Sequence, residues 1–396
     1  MREIEVKANV HIRKGAQHRL ESGHPWMYQT EVDRIEGDFA PGDIVDVFNH
    51  RGRFIGRGYI NPRSQILVRI LTREQEEINR AFFAKRLAAA WKHRQRFVEE
   101  PDYCRLVFGE ADFLPALIVD KFGPYLVIQT LALGIDIHKE TIVSILSEMF
   151  APAGIYERND VPVRKLEGLD MRKGFLLGSF PTMIQVQENG FPFYADVENG
   201  QKTGFFYDQR ENRRILKSLV PGADVLDTFC HTGSFAIHAA RYGAKSVHAV
   251  DISDGAVEVA RRNAELNGVT HLCRFEVANA FDLLRALTEE KKQYDVVILD
   301  PPAFTKSRGA IEAAARGYKE INLRGLKLVK PGGFLVTCSC SYHMDRELFK
   351  AIVVDAAKDA RRVIREIEYR TQAKDHPILP AAAATHYLKF LAVEVQ

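Results

Sequence analysis

Four places in the chain put a carboxylate or a thiol where an apolar run stops. Val225-Leu226 ends in Asp227, residues 246–250 end in Asp251, residues 294–299 end in Asp300, and residues 334–337 lead into Cys338-Ser339-Cys340-Ser341. A carboxylate so placed can accept both hydroxyls of a ribose or polarise an amino group. A thiol there becomes a nucleophile once its surroundings favour the thiolate. Cys338 and Cys340 are two apart, so a regular strand puts them on one face, with Cys340 nearer the outer end. The plainer reading, a small thiol packed in a core strand, fits Cys338 better than Cys340. Cys230 and Cys273 read as packing residues.

The stretch around Asp227 shows what must position these groups. Asp224-Val-Leu-Asp-Thr-Phe-Cys-His-Thr-Gly-Ser234 reads as strand, tight turn and helix start, and Phe235-Ala-Ile-His-Ala-Ala240 continues the helix. Gly233 lets backbone approach a ligand closely, and the helix start offers free N–H groups. Asp251 closes a second strand. A third run, residues 273–277, leads to Asn279-Ala280-Phe281, polar and aromatic groups able to border an adenine. The fourth ends in Asp300-Pro-Pro-Ala-Phe304 and the fifth in the paired cysteines. Ligands bind at the C-terminal edge of open α/β sheets, where all of these groups would lie. A dinucleotide would want Gly-x-Gly-x-x-Gly after the first strand. Here that place reads Thr228-Phe-Cys-His-Thr-Gly233, with one glycine. S-adenosylmethionine has a ribose and an adenine but no phosphates, and it suits this turn better.

Taken together, Asp-x-Phe-Cys-x-x-Gly-x-Phe at 227–235, the acidic second strand, Asp300-Pro-Pro-Ala-Phe304 and Cys338-Ser-Cys-Ser341 resemble the signature of one family. It is the class I methyltransferases that act on cytosine C5 of large-subunit ribosomal RNA. The run from Asn199 to Arg213 resembles that family's segment ahead of the first strand. Residues 1–73 resemble its PUA domain, so the resemblance spans the whole chain. One departure is Asn279, where the superfamily often has Asp. The resemblance implies S-adenosylmethionine as cofactor, held by Lys202, Thr203, Phe205, Asp208, Asp227, Phe229, His231, Gly233, Ser234, Asp251, Asn279, Ala280 and Phe281. It implies Cys340 as the nucleophile, Asp300 as its catalytic partner, and Pro301, Pro302 and Phe304 around the substrate base. No metal enters the scheme.

The implied chemistry needs a thiol because cytosine C5 is not nucleophilic by itself. A thiolate adding to C6 makes C5 able to attack the sulfonium methyl; a base then removes the C5 proton and the thiolate leaves. Asp300 would hold the cytosine amino group and N3 during the addition. The target base must leave any stack to reach the pocket.

Length and composition frame this reading. At 396 residues the chain suits two or three domains, and 46% hydrophobic content can fill sizeable cores. A net charge of +3 does not announce a nucleic-acid binder. Five scattered cysteines point to a reducing compartment rather than a disulfide framework. No signal-like or membrane-spanning run is present, so a soluble cytoplasmic protein is expected.

The expected organisation has three parts: a PUA-like β-barrel at 1–74, a small α+β linking domain at 75–185, and the methyltransferase domain at 186–396. In the first part Arg13, Lys14, Arg19, Arg51, Arg53, Arg57, Arg63 and Arg69 could hold phosphate while Trp26 or Tyr28 stacks on a base. From charge alone the plainer reading, a solvated basic face with a core Trp, is the better one; the family resemblance tips it to RNA. Residues 80–98 form an amphipathic helix with Phe83, Leu87 and Trp91 on its apolar stripe and six Lys and Arg elsewhere. Residues 109–115 are a turn-rich loop without assigned chemistry. Asp208 opens a helix running to about Val220, and the run ending in Val395 pairs antiparallel beside the fifth strand. Ribosomal RNA of the large subunit is the expected partner; membranes are not, and a homodimer is left open.

Two other readings stand beside this one. An exocyclic-amine methyltransferase could use the Asp-Pro-Pro-Ala-Phe loop and need no cysteine. A non-catalytic RNA-binding assembly factor could carry the sheet as a relic, but the intact Asp227, Gly233 and Asp251 argue against it.

Overall fold

The computed structural model describes residues 6–304 and 308–396. The chain forms two compact units. The first takes residues 1–186, 195–207 and 374–385; the second takes 187–194, 208–373 and 386–396.

The first unit begins with a six-stranded sheet. In chain order its strands are Ala8–Ile12, Trp26–Tyr28, Val32–Glu36, Ile44–Phe48, Phe54–Ile60 and Ile66–Thr72. Only the pairing of the first with the fourth is parallel. Alternating apolar residues such as Val10, Ile12, Val45, Val47 and Val68 fill one cluster. A five-stranded sheet follows within residues 103–177. Ile44, Tyr59 and Leu71 of the first sheet share a second cluster with Leu106, Val119, Ile128 and Ile155 of this one. The helix Arg80–Phe97 packs into that cluster through Phe83 and Leu87, and its N-terminus is capped by Asn79, whose side chain accepts from the Phe82 amide at 3.1 Å.

The basic face expected on this helix is partly consumed inside the unit. Arg94 is fully buried, donates to both oxygens of Asp112, and reaches the Asp375 carbonyl at 2.7 Å. Arg80 pairs with Glu148, and Lys85 and Arg86 pair with Glu76. In the first sheet Arg57 pairs with Asp46, Arg69 with Glu167 and Arg19 with Glu31. Trp26 donates its indole N–H to Glu110 at 2.8 Å, while Arg19 lies over the Tyr28 ring.

The second unit is built on a seven-stranded sheet. Its strands in chain order are Asp224–Thr228, Ser246–Asp251, Cys273–Val277, Tyr294–Leu299, Val329–Ser339, Ile364–Arg370 and Lys389–Val395. Across the sheet the order is third, second, first, fourth, fifth, seventh, sixth. The first five run parallel, and the seventh is antiparallel to both neighbours. The central first and fourth strands are buried on both faces over most of their length, hence continuous apolar runs such as Val296-Val-Ile-Leu299 rather than alternation. Order reverses between the first and fourth strands, and ligands bind at such a switch point.

The helix expected from Asp208 to Val220 is broken into a 3-10 turn at Tyr207–Gln209 and short helices at Arg210–Arg213 and Leu216–Leu219. The break turns polar side chains inward: Arg213 donates to both oxygens of Glu188 at 2.7 and 2.8 Å, and Asn212 donates to Gln209 at 2.7 Å. The fifth strand begins at Val329, before the Pro331-Gly-Gly333 turn, and ends at Ser339. Cys340 is therefore the first residue beyond it.

Candidate active site

The turn after the first strand is tightly wound. Phe229, His231 and Gly233 all have positive φ, at 63°, 49° and 79°. Two of these are side-chain-bearing residues, a conformation that costs of order 1–3 kcal/mol each and persists where the surroundings enforce it. Here the enforcing contact is Asp251: one oxygen accepts the His231 amide at 2.8 Å and the other accepts the Ser253 amide at 2.9 Å. A carboxylate oxygen has further lone pairs, so Asp251 can still accept hydroxyls. Gly233 is needed for space as well as φ, since a Cβ there would meet the Ala260 Cβ at 3.0 Å and the Phe275 ring at 3.2 Å. Ser234 opens the following helix, Ser234–Arg241.

Asp227 lies beneath this turn, fully buried. Neither of its oxygens closes a hydrogen bond among the described residues, although the Ala236 amide of the next helix lies beside it. Burial, and then the neighbouring charge of Asp300, pushes its carboxyl well above the usual range. An orphaned buried acid is costly unless a cation completes it. S-adenosylmethionine carries an ammonium and a sulfonium as well as a ribose, so the pair Asp227 and Asp251 fits its charges and its hydroxyls.

Asp300 follows the fourth strand and is partly buried. Gln209 donates to it at 3.1 Å, and the Cys338 thiol is hydrogen-bonded to it. Burial raises the Asp300 carboxyl to about 6, opposed by Arg213 and reinforced by Asp208. Cys338 is fully buried, and burial together with the Asp300 charge pushes its thiol up. Cys340 is half-buried, with its Sγ 3.9 Å from the Pro301 carbonyl. Tyr318 grips the chain on both sides of Cys340, its hydroxyl lying 3.0 Å from Ser339 Oγ and 2.9 Å from Ser341 Oγ. Cys230 and Cys273 are held as thiols by burial, the latter raised to about 12.

The aromatic residues form one chain: Phe229 to Phe281 at 6.2 Å between ring centres, Phe281 to Phe304 at 5.7 Å, and Phe304 to Tyr318 at 4.6 Å. Ala280 is buried at the start of the helix Ala280–Glu289. Asn279 uses its side-chain oxygen as the cap of that helix, accepting the Phe281 amide at 2.9 Å. Of the substrate-loop residues, Pro301 is buried and Pro302 exposed.

Lys202, Thr203 and Phe205 belong to the first unit. There the Thr203 hydroxyl donates to Asp120, Phe205 packs on Tyr207, and the Lys202 ammonium lies over the Phe206 ring. Asp208 belongs to the second unit, where it accepts the Tyr387 hydroxyl at 2.6 Å. Sequence reasoning missed Gln209, Tyr318, Arg213 and Lys389. Gln209 and Arg213 carried a signal, their place in the family-like segment before the first strand.

Residues 10–73 match the model of a PUA-like domain, and residues 169–390 match that of an S-adenosylmethionine-dependent methyltransferase. A protein from Shewanella amazonensis named ribosomal RNA large subunit methyltransferase I is 43% identical over 98% of this chain and 100% of its own length. One of the same name from Vibrio parahaemolyticus is 40% identical over 98% and 100%. The chain belongs to the ribosomal RNA large subunit methyltransferase I family. Its dependence on S-adenosylmethionine and its α/β methyltransferase sheet beside a PUA-like domain follow from that membership. The fold is shared with a structure from Streptococcus mutans described as a SAM-dependent methyltransferase, with TM-score 0.83, 19% identity and coverage of 98% and 99%. It is shared as well with a methyltransferase structure complexed with SAH, with TM-score 0.84, 19% identity and coverage of 98% and 100%. Among the described residues no helix is long and apolar enough to cross a membrane.

Proposed function

We propose that this member of the family methylates C5 of a cytosine in large-subunit ribosomal RNA through a covalent bond from Cys340 to C6. The observation that carries the reading is the meeting of two strand ends: Cys340 reaches the Pro301 carbonyl at 3.9 Å, one residue from Asp300. The bound cofactor supplies an electrophilic methyl group. Asp227 and Asp251 hold its positive charges and ribose, and the strained turn from Phe229 to Ser234, with Asn279, Ala280 and Phe281, encloses it. Asp208, of the same unit, joins the enclosure in the family pattern. Pro301, Pro302 and Phe304 border the base.

Asp300 holds the cytosine amino group and N3, so the electron pair displaced when the thiolate bonds to C6 is stabilised as N3 gains a proton. With its carboxyl raised to about 6, Asp300 can give or take that proton near neutral pH. Cys338, hydrogen-bonded to Asp300 and buried, orients the acid rather than attacking the base. The PUA-like domain and the cationic groups of the first unit supply the RNA contacts, and the protein acts in the cytoplasm, where ribosomes are made.

RNA carrying 5-fluorocytosine tests this, because fluorine blocks the final elimination and leaves the adduct in place. Wild type and Cys338→Ser should both trap RNA in a denaturing gel; Cys340→Ser should trap none. Trapping lost in Cys338→Ser but kept in Cys340→Ser would exchange the two roles. Methylation without any trapping would favour transfer to an exocyclic amine through the Asp-Pro-Pro-Ala-Phe loop.

A further inference from the structure

Lys389 opens the seventh strand, yet only 3% of it is exposed. A lysine at a strand start ordinarily keeps its ammonium in water, since burying one unpaired costs several kcal/mol. Here the ammonium donates to two neutral carbonyls, that of Ser341 at 2.6 Å and that of Tyr387 at 2.7 Å. Among the described residues no carboxylate comes within ion-pair distance of it. The backbone of Lys389 is paired with Ser339. Its side chain thus starts opposite Ser339 and ends on Ser341, spanning the one residue between them, Cys340.

We propose that Lys389 is a positioning residue that keeps Cys340 in its thiolate form by placing a fixed, water-excluded positive charge beside it. The proposal rests on the reading that Cys340 is the nucleophile. The step is a simple ionisation: the S–H bond breaks, the proton goes to solvent, and the electron pair stays on sulfur for its bond to C6. A thiolate beside a cation is the ordinary way a cysteine is made reactive.

Among the described residues, Lys389 is a cation whose charge interacts with that of Cys340. Tyr318, from the helix Ile311–Leu328, faces Cys340 as a phenol, its hydroxyl raised to about 12 by burial. Cys338, on its own strand, faces it as a thiol. Asp345 lies near the ammonium but its side chain caps the helix Arg346–Ala360, accepting the Leu348 amide at 2.8 Å. His386 lies near both Lys389 and Arg346, and burial, then Lys389, then Arg346 hold its ring below its usual range. Burial lowers Lys389 itself to about 8, while Cys340 and Asp345 act to keep it charged. The ammonium is therefore present at neutral pH, and a negative sulfur would strengthen it.

Alkylation of the full-length protein by iodoacetamide, read at Cys340 by peptide mass spectrometry across pH, needs neither RNA nor cofactor. An opposite charge nearby favours the ionised form by about 1–3 pH units. In Lys389→Met the pH of half-maximal alkylation should rise by at least about one unit, and the rate at pH 7 should fall about tenfold or more. Lys389→Arg should keep the wild-type profile. Coincident profiles for wild type and Lys389→Met would overturn the proposal. Should the Met variant not fold, the wild-type profile decides: half-maximal alkylation at or above that of free cysteine would overturn it as well. The 5-fluorocytosine adduct separates the two ideas. A shifted profile with no adduct in wild type defeats cytosine-C5 chemistry alone, and an adduct with coincident profiles defeats the role of Lys389 alone.

Discussion

Replacing Asp300 by Asn should raise the stability of the protein while removing its activity, and the gain should depend on pH in a direction fixed by the site. The carboxyl sits at about 6 against its ordinary value of 3.8. At 1.36 kcal/mol per pH unit, keeping it ionised in the folded protein costs about 3 kcal/mol. A raised acid stabilises the fold only while protonated. The penalty is therefore absent well below pH 3.8, grows between about pH 4 and 6, and is complete above 6. Asn cannot ionise, and it also relieves Asp227, whose carboxyl is raised in part by the Asp300 charge. Against this, the hydrogen bonds with Gln209 and Cys338 are weakened, a loss of about 1 kcal/mol. The net at pH 8 is about 2 kcal/mol in favour of Asn, or roughly 4–8 °C in melting temperature for a unit of this size. At pH 4 the two proteins should melt within about 1–2 °C of each other. Scanning calorimetry of both at pH 4, 6 and 8, beside a methylation assay at pH 8, gives the answer. A melting difference that is the same at all three values, or a variant less stable at pH 8 than at pH 4 relative to wild type, would refute the reasoning.

Three further outcomes follow from the geometry. Asp251→Ala should weaken S-adenosylmethionine binding about ten- to a hundredfold, the loss of roughly 1.5–3 kcal/mol from a charge-assisted hydrogen bond; unchanged affinity in titration calorimetry would remove Asp251 from the cofactor site. Gly233→Ala forces a Cβ onto Ala260 and Phe275 at a positive φ, so it should cost about 1–3 kcal/mol in chemical denaturation and lower cofactor affinity with it. A variant as stable as wild type would show that the turn can relax. Asp112→Ala leaves the guanidinium of Arg94 buried without its acid, which should destabilise the first unit by about 3–5 kcal/mol, measured by urea unfolding followed through tryptophan fluorescence; a loss below about 1 kcal/mol would mean that the carbonyls of Arg105 and Asp375 suffice.

How much of this was written in the sequence depends on whether the signal was local. Asp227, Asp251 and Asp300 could be found because a parallel strand buried on both faces is apolar until it stops, so its first polar residue marks the sheet's edge. The antiparallel seventh strand was legible from its apolar run. Other features required the tertiary fold. Lys389 looks like a solvent-facing residue until the ladder places it opposite Ser339. Arg94 looks like part of a basic helix face until Asp112 and Asp375, distant in the chain, close around it. The segment from Asp208 to Val220 has helix-forming residues throughout. It breaks where Arg213 finds Glu188 and Gln209 finds Asp300, partners that local helix propensity does not announce. The positive φ of Phe229 and His231 had no glycine to announce it.

The composition of the first unit bears on how the chain emerges during synthesis. That unit is begun by residues 1–186 but includes residues 374–385, and Asp375 supplies its carbonyl to Arg94 and its side chain to the Arg105 amide at 3.0 Å. At about 5–20 residues per second, Asp375 leaves the ribosome roughly ten to forty seconds after Val186. Throughout that interval the buried guanidinium of Arg94 has Asp112 but lacks its last partner. The N-terminal half of the nascent chain must therefore wait, partly assembled, while the whole catalytic sheet up to its sixth strand is translated, and the seam around Asp375 closes among the last events in making the molecule.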